Sequence, residues 1–231
     1  SVRDYSKLDN YIGDSEDWDL AEKMLQEVSD TYGLDAKKME GEAAIYGPKL
    51  DFMFKDALGR ETQLATIQLD FAMPKRFKLS YTNEDGKEST PVMIHRAILG
   101  SFERFIMILI EHYAGKFPVW LAPEQLRLIT VNQTTELTDF AEKIALEASE
   151  LGLRVFVDNS NESVGKKIRE SEKSKVPYTV VIGEKELETG ETTPRIRSDL
   201  TVHAETKAIH LSNFLKTVSN ESKSRTAHTT L

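Results

Sequence analysis

Residues 91–105 read PVMIHRAILGSFERF, and the period of the apolar positions changes inside that stretch. From Pro91 to His95 the alternation is two-fold, so Met93 and His95 share one face of a strand. From Ile98 it becomes helical. Ile98, Leu99, Phe102, Phe105, Ile106, Leu109, Ile110 and Tyr113 recur as one apolar helix face. Ala97, Ser101 and Arg104 fall on another face, with Gly100 beside them. Small side chains there let a ligand approach the backbone while a guanidinium reaches its charged groups. Residue spacing alone leaves open a surface ion pair of Arg104 with Glu103 or Glu111.

Upstream, residues 14–30 read as an acidic helix, with Asp14 or Ser15 as N-cap and Gly33 beyond its end. Residues 50–55 and 62–71 read as strands around the turn DALGR (56–60). Residues 77–82 and 88–95 flank NEDG (83–86), which predicts a hairpin turning at Asp85-Gly86. Consecutive antiparallel strands packed by helices make this first region α+β.

KFPVWLAPEQ (116–125), with its two prolines, marks a boundary between residues 121 and 122. The rhythm then becomes strand (125–131), helix (134–151), strand (153–157), helix (163–174), strand (178–182). Residues 185–188 and 194–197 read as a terminal hairpin around Thr189-Gly190, and 204–218 as a last helix. That alternation predicts an α/β domain with a mixed sheet over 122–218. The polar tail, 219–231, reads as disordered.

Composition narrows the function classes. Charged residues make up 29% of the 231 and hydrophobic ones 39%, an ordinary globular profile. The absence of cysteine excludes disulfides and thiolate metal sites. No apolar run approaches the ~18 residues of a membrane span, and the expected compartment is the cytoplasm. The net charge of −8 excludes a whole-surface electrostatic grip on nucleic acid, so RNA contact must come from local patches. SVGKKIRESEKSK (163–175) is the best of these, with Lys166, Lys167, Arg169, Lys173 and Lys175 against two acids, Glu170 and Glu172. A solvated helix face of mixed charge is the other reading.

The stretches AIYGPKLDF (44–52), TIQLDFAMPKRF (66–77), PVMIHRAILGSFERF (91–105) and FPVWLAP (117–123) together resemble the last part of the catalytic domain of the threonyl-tRNA synthetases, class II aminoacyl-tRNA synthetases. The region after 122 resembles their anticodon-binding domain. The resemblance implies a class II antiparallel sheet with helices, containing motif 3, followed by an α/β anticodon-binding domain. It implies ATP-dependent activation of L-threonine and transfer to tRNA-Thr, with ATP and Mg²⁺ as cofactors. Arg104 would bind the ATP phosphates with Ser101 nearby, Tyr46 would line the threonine pocket, and Lys49 would lie near the reacting groups. Gln63 and Gln68 would lie near the substrate and the tRNA end. Their spacing of five puts them on opposite faces of an ideal strand, so sharing a pocket requires a bulge, expected at Ala65-Thr66.

By the same resemblance His95 would be one of three protein ligands to Zn²⁺, which reads the threonine hydroxyl. The other two, a cysteine and a histidine, are absent here, as are motif 1 and the motif 2 arginine. Asn161, Lys185, Glu186 and Arg195 fall where the family reads the anticodon, with Lys166, Arg169 and Lys175 on phosphates. The intact enzyme would be a homodimer, and this segment alone inactive. Taken as a complete protein, the chain would instead be an inactive tRNA-binding or regulatory module.

Overall fold

The computed structural model describes residues 1–201 and 207–231. The chain divides into two compact units, Ser1–His112 and Tyr113–Leu231, where the sequence reading divided it at 121/122.

The first unit runs α1 (Ser15–Thr31), β1 (Lys49–Lys55), β2 (Glu61–Asp70), α2 (Ala72–Arg76), β3 (Tyr81–Thr82), β4 (Glu88–Ser89), β5 (Met93–Ala97) and α3 (Phe102–Tyr113). Three strands form an antiparallel sheet in the order β1-β2-β5. The NEDG hairpin is present but short. Asn83 Oδ1 accepts from the Asp85 and Lys87 amides, at 3.1 and 2.9 Å, and holds the turn between β3 and β4. Upstream of it the strand expected over 77–82 shrinks to two residues. Asp70 Oδ1 accepts from the Ala72 and Met73 amides, at 3.0 and 2.8 Å, and starts the short helix α2 instead.

The strand-to-helix junction also differs from expectation. Gly100 takes a φ of +69°, and a Cβ there would lie 3.0 Å from the Leu64 carbonyl oxygen. This turn ends β5 at Ala97 and delays the helix to Phe102. Ala97 is therefore a strand residue. Ser101 sits at the helix start, where its Oγ accepts the Arg104 amide at 3.3 Å. The apolar period along α3 is real, but of its residues only Ile108 is buried, and Phe102 is 76% exposed. Periodicity reports an amphipathic helix; burial needs a partner surface as well.

The second unit runs β6 (Leu126–Thr130), α4 (Thr135–Glu150), β7 (Val155–Asp158), α5 (Val164–Lys173), β8 (Tyr178–Ile182), α6 (Glu184–Thr189), β9 (Glu191–Thr192), β10 (Arg195–Ile196), β11 (Ile209–His210) and α7 (Leu211–Ser224). Its four-stranded sheet has the order β10-β8-β6-β7. β7 and β8 pair parallel to the central β6, and β10 pairs antiparallel to β8. Leu126, Leu128, Tyr178, Val180 and Ile182 form one core with Leu137, Ala141, Ile144 and Ala148 of α4 and Phe214, Leu215 and Val218 of α7.

Three expectations change here. Residues 184–189 form a helix rather than a hairpin strand. Glu186 Oε2 accepts the Gly183 amide at 3.0 Å, and Gly190 closes the helix in the left-handed region at φ +67°. Arg195–Ile196 then pairs with β8. The start of the last helix, expected at 204, lies outside the described residues; α7 begins at Leu211.

The tail is packed, not disordered. The buried Glu221 carboxylate accepts from the Tyr178 hydroxyl, from Thr229 Oγ1 at 2.9 Å and from the Thr230 amide at 2.6 Å. Burial, and then Glu221, push the Tyr178 phenol up. Polar composition alone missed this because the tail is anchored chiefly by hydrogen bonds to a buried group, with Leu231 alone of its residues packing against the apolar core.

Candidate functional site

Pairing of β1, β2 and β5 places Lys49 opposite Gln68 and Gln68 opposite His95. The three side chains form a row on one sheet face, since directly paired residues point the same way. Two residues along, Asp51 pairs with Thr66 and Thr66 with Ala97 on that face. The opposite face carries Phe52, Phe54, Ile67 and Ile94, each at least 36% exposed.

Gln63 joins the polar face through a bulge. Phe52 pairs with Ala65 but Met53 with Gln63, so Leu64 is the extra residue of β2. The expected bulge exists, one position before Ala65-Thr66. Gln63 Nε2 donates to Asp51 Oδ1 at 2.7 Å, and the Gln63 carbonyl accepts from Arg104 Nη1 at 3.4 Å. Glu111, one of the acids left open as a partner of Arg104, accepts the Ala57 amide at 3.4 Å and lies 3.9 Å from Arg60. The Arg104 side chain is exposed, so its guanidinium stands at the edge of the polar row.

Asp51 organises the row, and residue-by-residue reading missed it. Its Oδ2 lies 2.7 Å from Lys49 Nζ, and its Oδ1 accepts from Thr66 at 2.8 Å as well as from Gln63. The available signal was its two-residue offset from Lys49 on the same strand. Burial pushes the Asp51 carboxyl up, but the hydrogen bonds from Lys49 and Thr66 and the Lys49 charge outweigh it, and the net shift is downward. A carboxyl whose pKa is depressed by folding stabilises the fold above its unfolded value, about 4. That contribution disappears as pH falls below 4 through the folded value. Urea titrations of the wild-type chain should show first-unit stability dropping in that window, and Asp51→Asn should flatten the drop.

Asp70 is the second residue missed. It is fully buried, and its Oδ2 lies 2.9 Å from His95 Nε2 while Oδ1 holds the α2 turn. Tyr46 also meets the imidazole edge-on, with ring centroids 5.5 Å apart. Tyr46 arrives there through Gly47, which runs so close to β2 that a Cβ would lie 1.8 Å from the Leu69 carbonyl oxygen. Gln68 Nε2 donates to the Gly47 carbonyl at 3.1 Å and fixes this turn. One residue cluster thus collects Tyr46, Lys49, Gln63, Gln68 and His95, with Ser101 and Arg104 at its edge.

A Zn²⁺ site needs three or four ligands. Among the described residues no three His, Cys, Asp or Glu side chains are grouped to hold a metal. His95 offers a single imidazole, and its Nε2 faces Asp70. The residues of this chain do not by themselves fit the ion.

In the second unit Asn161 lies in the turn between β7 and α5, Lys185 and Glu186 on α6, and Arg195 on β10. Ser171 Oγ and Thr179 Oγ1, 2.6 Å apart, join α5 to β8, and Arg195 pairs with Thr179. Arg195 Nη2 lies 3.7 Å from Glu172 near the end of α5. Asn161 and Arg195 therefore bracket that helix, with Lys166 and Arg169 exposed along it. Lys166 also pairs with Glu162 at 2.6 Å, and the Lys175 ammonium donates to the Ala114 carbonyl. Lys167, counted in the basic run by its sequence, is buried and leaves the patch.

Comparisons with known proteins agree with this division. The family model "tRNA synthetase class II core domain (G, H, P, S and T)" matches residues 2–113, and "Anticodon binding domain" matches 125–221. The threonine–tRNA ligase of Phocaeicola vulgatus is 47% identical over 195 residues, 84% of this chain and 30% of that protein. That of Clostridium botulinum is 45% identical over 221 residues, 96% of this chain and 34% of that protein. The chain thus spans about a third of the length of these curated relatives. A crystal structure of the RNA-binding domain of Cryptosporidium parvum threonyl-tRNA synthetase superposes with a TM-score of 0.81 at 37% identity, covering 91% of this chain and 52% of that one. Among the described residues no helix is long and apolar enough to cross a membrane. With the residues of class II core and anticodon-binding domain following one another in a single sequence, the chain belongs to the threonyl-tRNA synthetase family.

Proposed function

We propose that this chain supplies one side of the aminoacylation site and the anticodon reader of a threonine–tRNA ligase that joins L-threonine to tRNA-Thr at the expense of ATP. The observation that carries the reading is the row Lys49–Gln68–His95 with the guanidinium of Arg104 at its edge. Threonine activation brings the carboxylate against the ATP α-phosphate and builds negative charge there. Arg104 neutralises that charge with a rigid fork of donors, beside the Mg²⁺ that accompanies ATP. Lys49, held by Asp51, adds a fixed positive charge near the reacting groups. Gln68 and Gln63 orient the substrate and the tRNA end, Tyr46 walls the threonine pocket, and Ser101 sets the backbone under Arg104. His95 would supply one ligand to a zinc ion that reads the threonine hydroxyl, if residues elsewhere in the ligase supplied the others. The ligase acts as a homodimer in the cytoplasm.

The test is threonine-dependent ATP–pyrophosphate exchange with Mg²⁺ and zinc added. A full-length ligase carrying this segment should exchange, and the 231-residue chain alone should not, because it presents only part of the charge and ligand set. Robust exchange by the chain alone would sink the division of labour proposed here.

The second unit reads the anticodon through Asn161, Lys185, Glu186 and Arg195, while Lys166, Arg169 and Lys175 meet phosphates. Arg195→Ala or Glu186→Ala should each lose ~1–3 kcal/mol of preference for tRNA-Thr over the same tRNA with an altered anticodon. Titrations at two salt concentrations separate this loss from the phosphate contribution. Equal binding of both tRNAs by the wild-type chain and by both variants would refute anticodon reading.

A further inference from the structure

Lys167 stands apart from the basic run that contains it. It is 2% exposed, and its Nζ donates to the carbonyls of Thr130 at 3.0 Å and Asp158 at 3.2 Å. These are the last residues of β6 and β7, where the parallel ladder ends. Burying an ammonium is costly, and an apolar side chain of similar length would fill the same space without that cost. The charge must therefore accomplish something that packing cannot. It ties two strand ends together beside the exposed turn at residues 159–163, whose member Asn161 is the base reader proposed above.

The rest of that turn is held in the same manner. Asp158 Oδ1 accepts from the Ser160 amide at 3.2 Å and from Ser160 Oγ at 2.6 Å. Gln133 Nε2, from the turn after β6, donates to the Asn159 carbonyl at 2.8 Å. Ser163 Oγ accepts the Lys166 amide at 3.4 Å and starts α5. A base-reading loop that is already ordered loses less conformational entropy on binding RNA. We propose that Lys167 is a positioning residue for anticodon recognition. It presets the loop that presents Asn161, and it does not meet RNA phosphate as Lys166 and Arg169 do. This rests on the anticodon reading proposed for the second unit.

The experiment uses the complete chain, with tRNA-Thr and the same tRNA carrying an altered anticodon as probes. Lys167→Met should lower the affinity ratio between them about tenfold, the loss of one base contact. It should leave the dependence of affinity on salt unchanged, because no phosphate contact is removed. Lys166→Ala should do the reverse, with a shallower salt slope and an intact ratio. A Lys167→Met chain that keeps the wild-type ratio, or that loses salt slope as Lys166→Ala does, overturns the proposal. Amide hydrogen exchange of the free chain gives a readout that needs no RNA. The Ser160 amide, which donates to Asp158 Oδ1, should exchange at least several-fold faster in Lys167→Met, and unchanged exchange overturns the proposal. If the wild-type chain shows no anticodon preference, the function proposed for the unit fails, while the exchange arm still decides the loop. If Lys167→Met does not fold, the exposed Gln133→Ala replaces it. Faster exchange and a lower ratio in that variant support a preset loop, and no change in either rejects it.

Discussion

Arg104→Ala in a full-length threonine–tRNA ligase carrying this segment should lower kcat/KM for threonine-dependent pyrophosphate exchange by about 10²–10³-fold, ~2.7–4 kcal/mol of transition-state stabilisation. The expected loss is large because the guanidinium is prepositioned. Its Nη1 already rests on the Gln63 carbonyl, and its amide is capped by Ser101. Folding is not expected to suffer, since the side chain is exposed and holds no core contact. A steady-state comparison of wild type and variant, with ATP and threonine varied separately, checks it. A variant within threefold of wild type in both titrations would remove Arg104 from the reaction.

Gly47→Ala has the largest expected effect on folding. The added Cβ would lie 1.8 Å from the Leu69 carbonyl oxygen and 2.9 Å from its carbon. Both are backbone atoms of the central strand, so no side chain can swing away. The turn must lift off β2, which breaks the hydrogen bond from Gln68 to the Gly47 carbonyl and carries Tyr46 away from His95. A cost of about 4 kcal/mol or more is expected, in the range reserved for disrupted backbone packing. Urea unfolding of the first unit measures it. Wild-type stability in the variant would mean that the YGPK turn is looser than its hydrogen bonds indicate.

The two halves of the chain differed in how much their residues disclosed. The strand Lys49–Lys55, and the succession from β6 to β8 in the second unit, were legible because alternation and helical spacing there are uninterrupted. The short helix Glu184–Thr189 was not. Its identity depends on a carboxylate reaching back to Gly183 and on a left-handed Gly190, a local hydrogen-bond choice that apolar spacing does not record. The role of Asp51 was hidden for a related reason. A carboxylate that organises neighbours is recognised by what pairs beside it across strands, and register is a tertiary property. Lys167 shows the limit from the other side. A lysine within a basic run reads as solvent-facing until the helix phase shows that it points inward.

The extra residue Leu64 has a consequence for reading genomes. Relatives are usually screened for the identity of their site residues, position by position. A homologue that lost Leu64 would run β2 with plain alternation, and its counterpart of Gln63, now four residues before that of Gln68, would still project from the polar side. A homologue of unchanged length whose strand ran straight would keep every glutamine, lysine and histidine of the row and score as intact, yet it would turn that glutamine to the other side of the sheet. At this place a one-residue gap preserves the substrate pocket, and ungapped identity alone does not guarantee it.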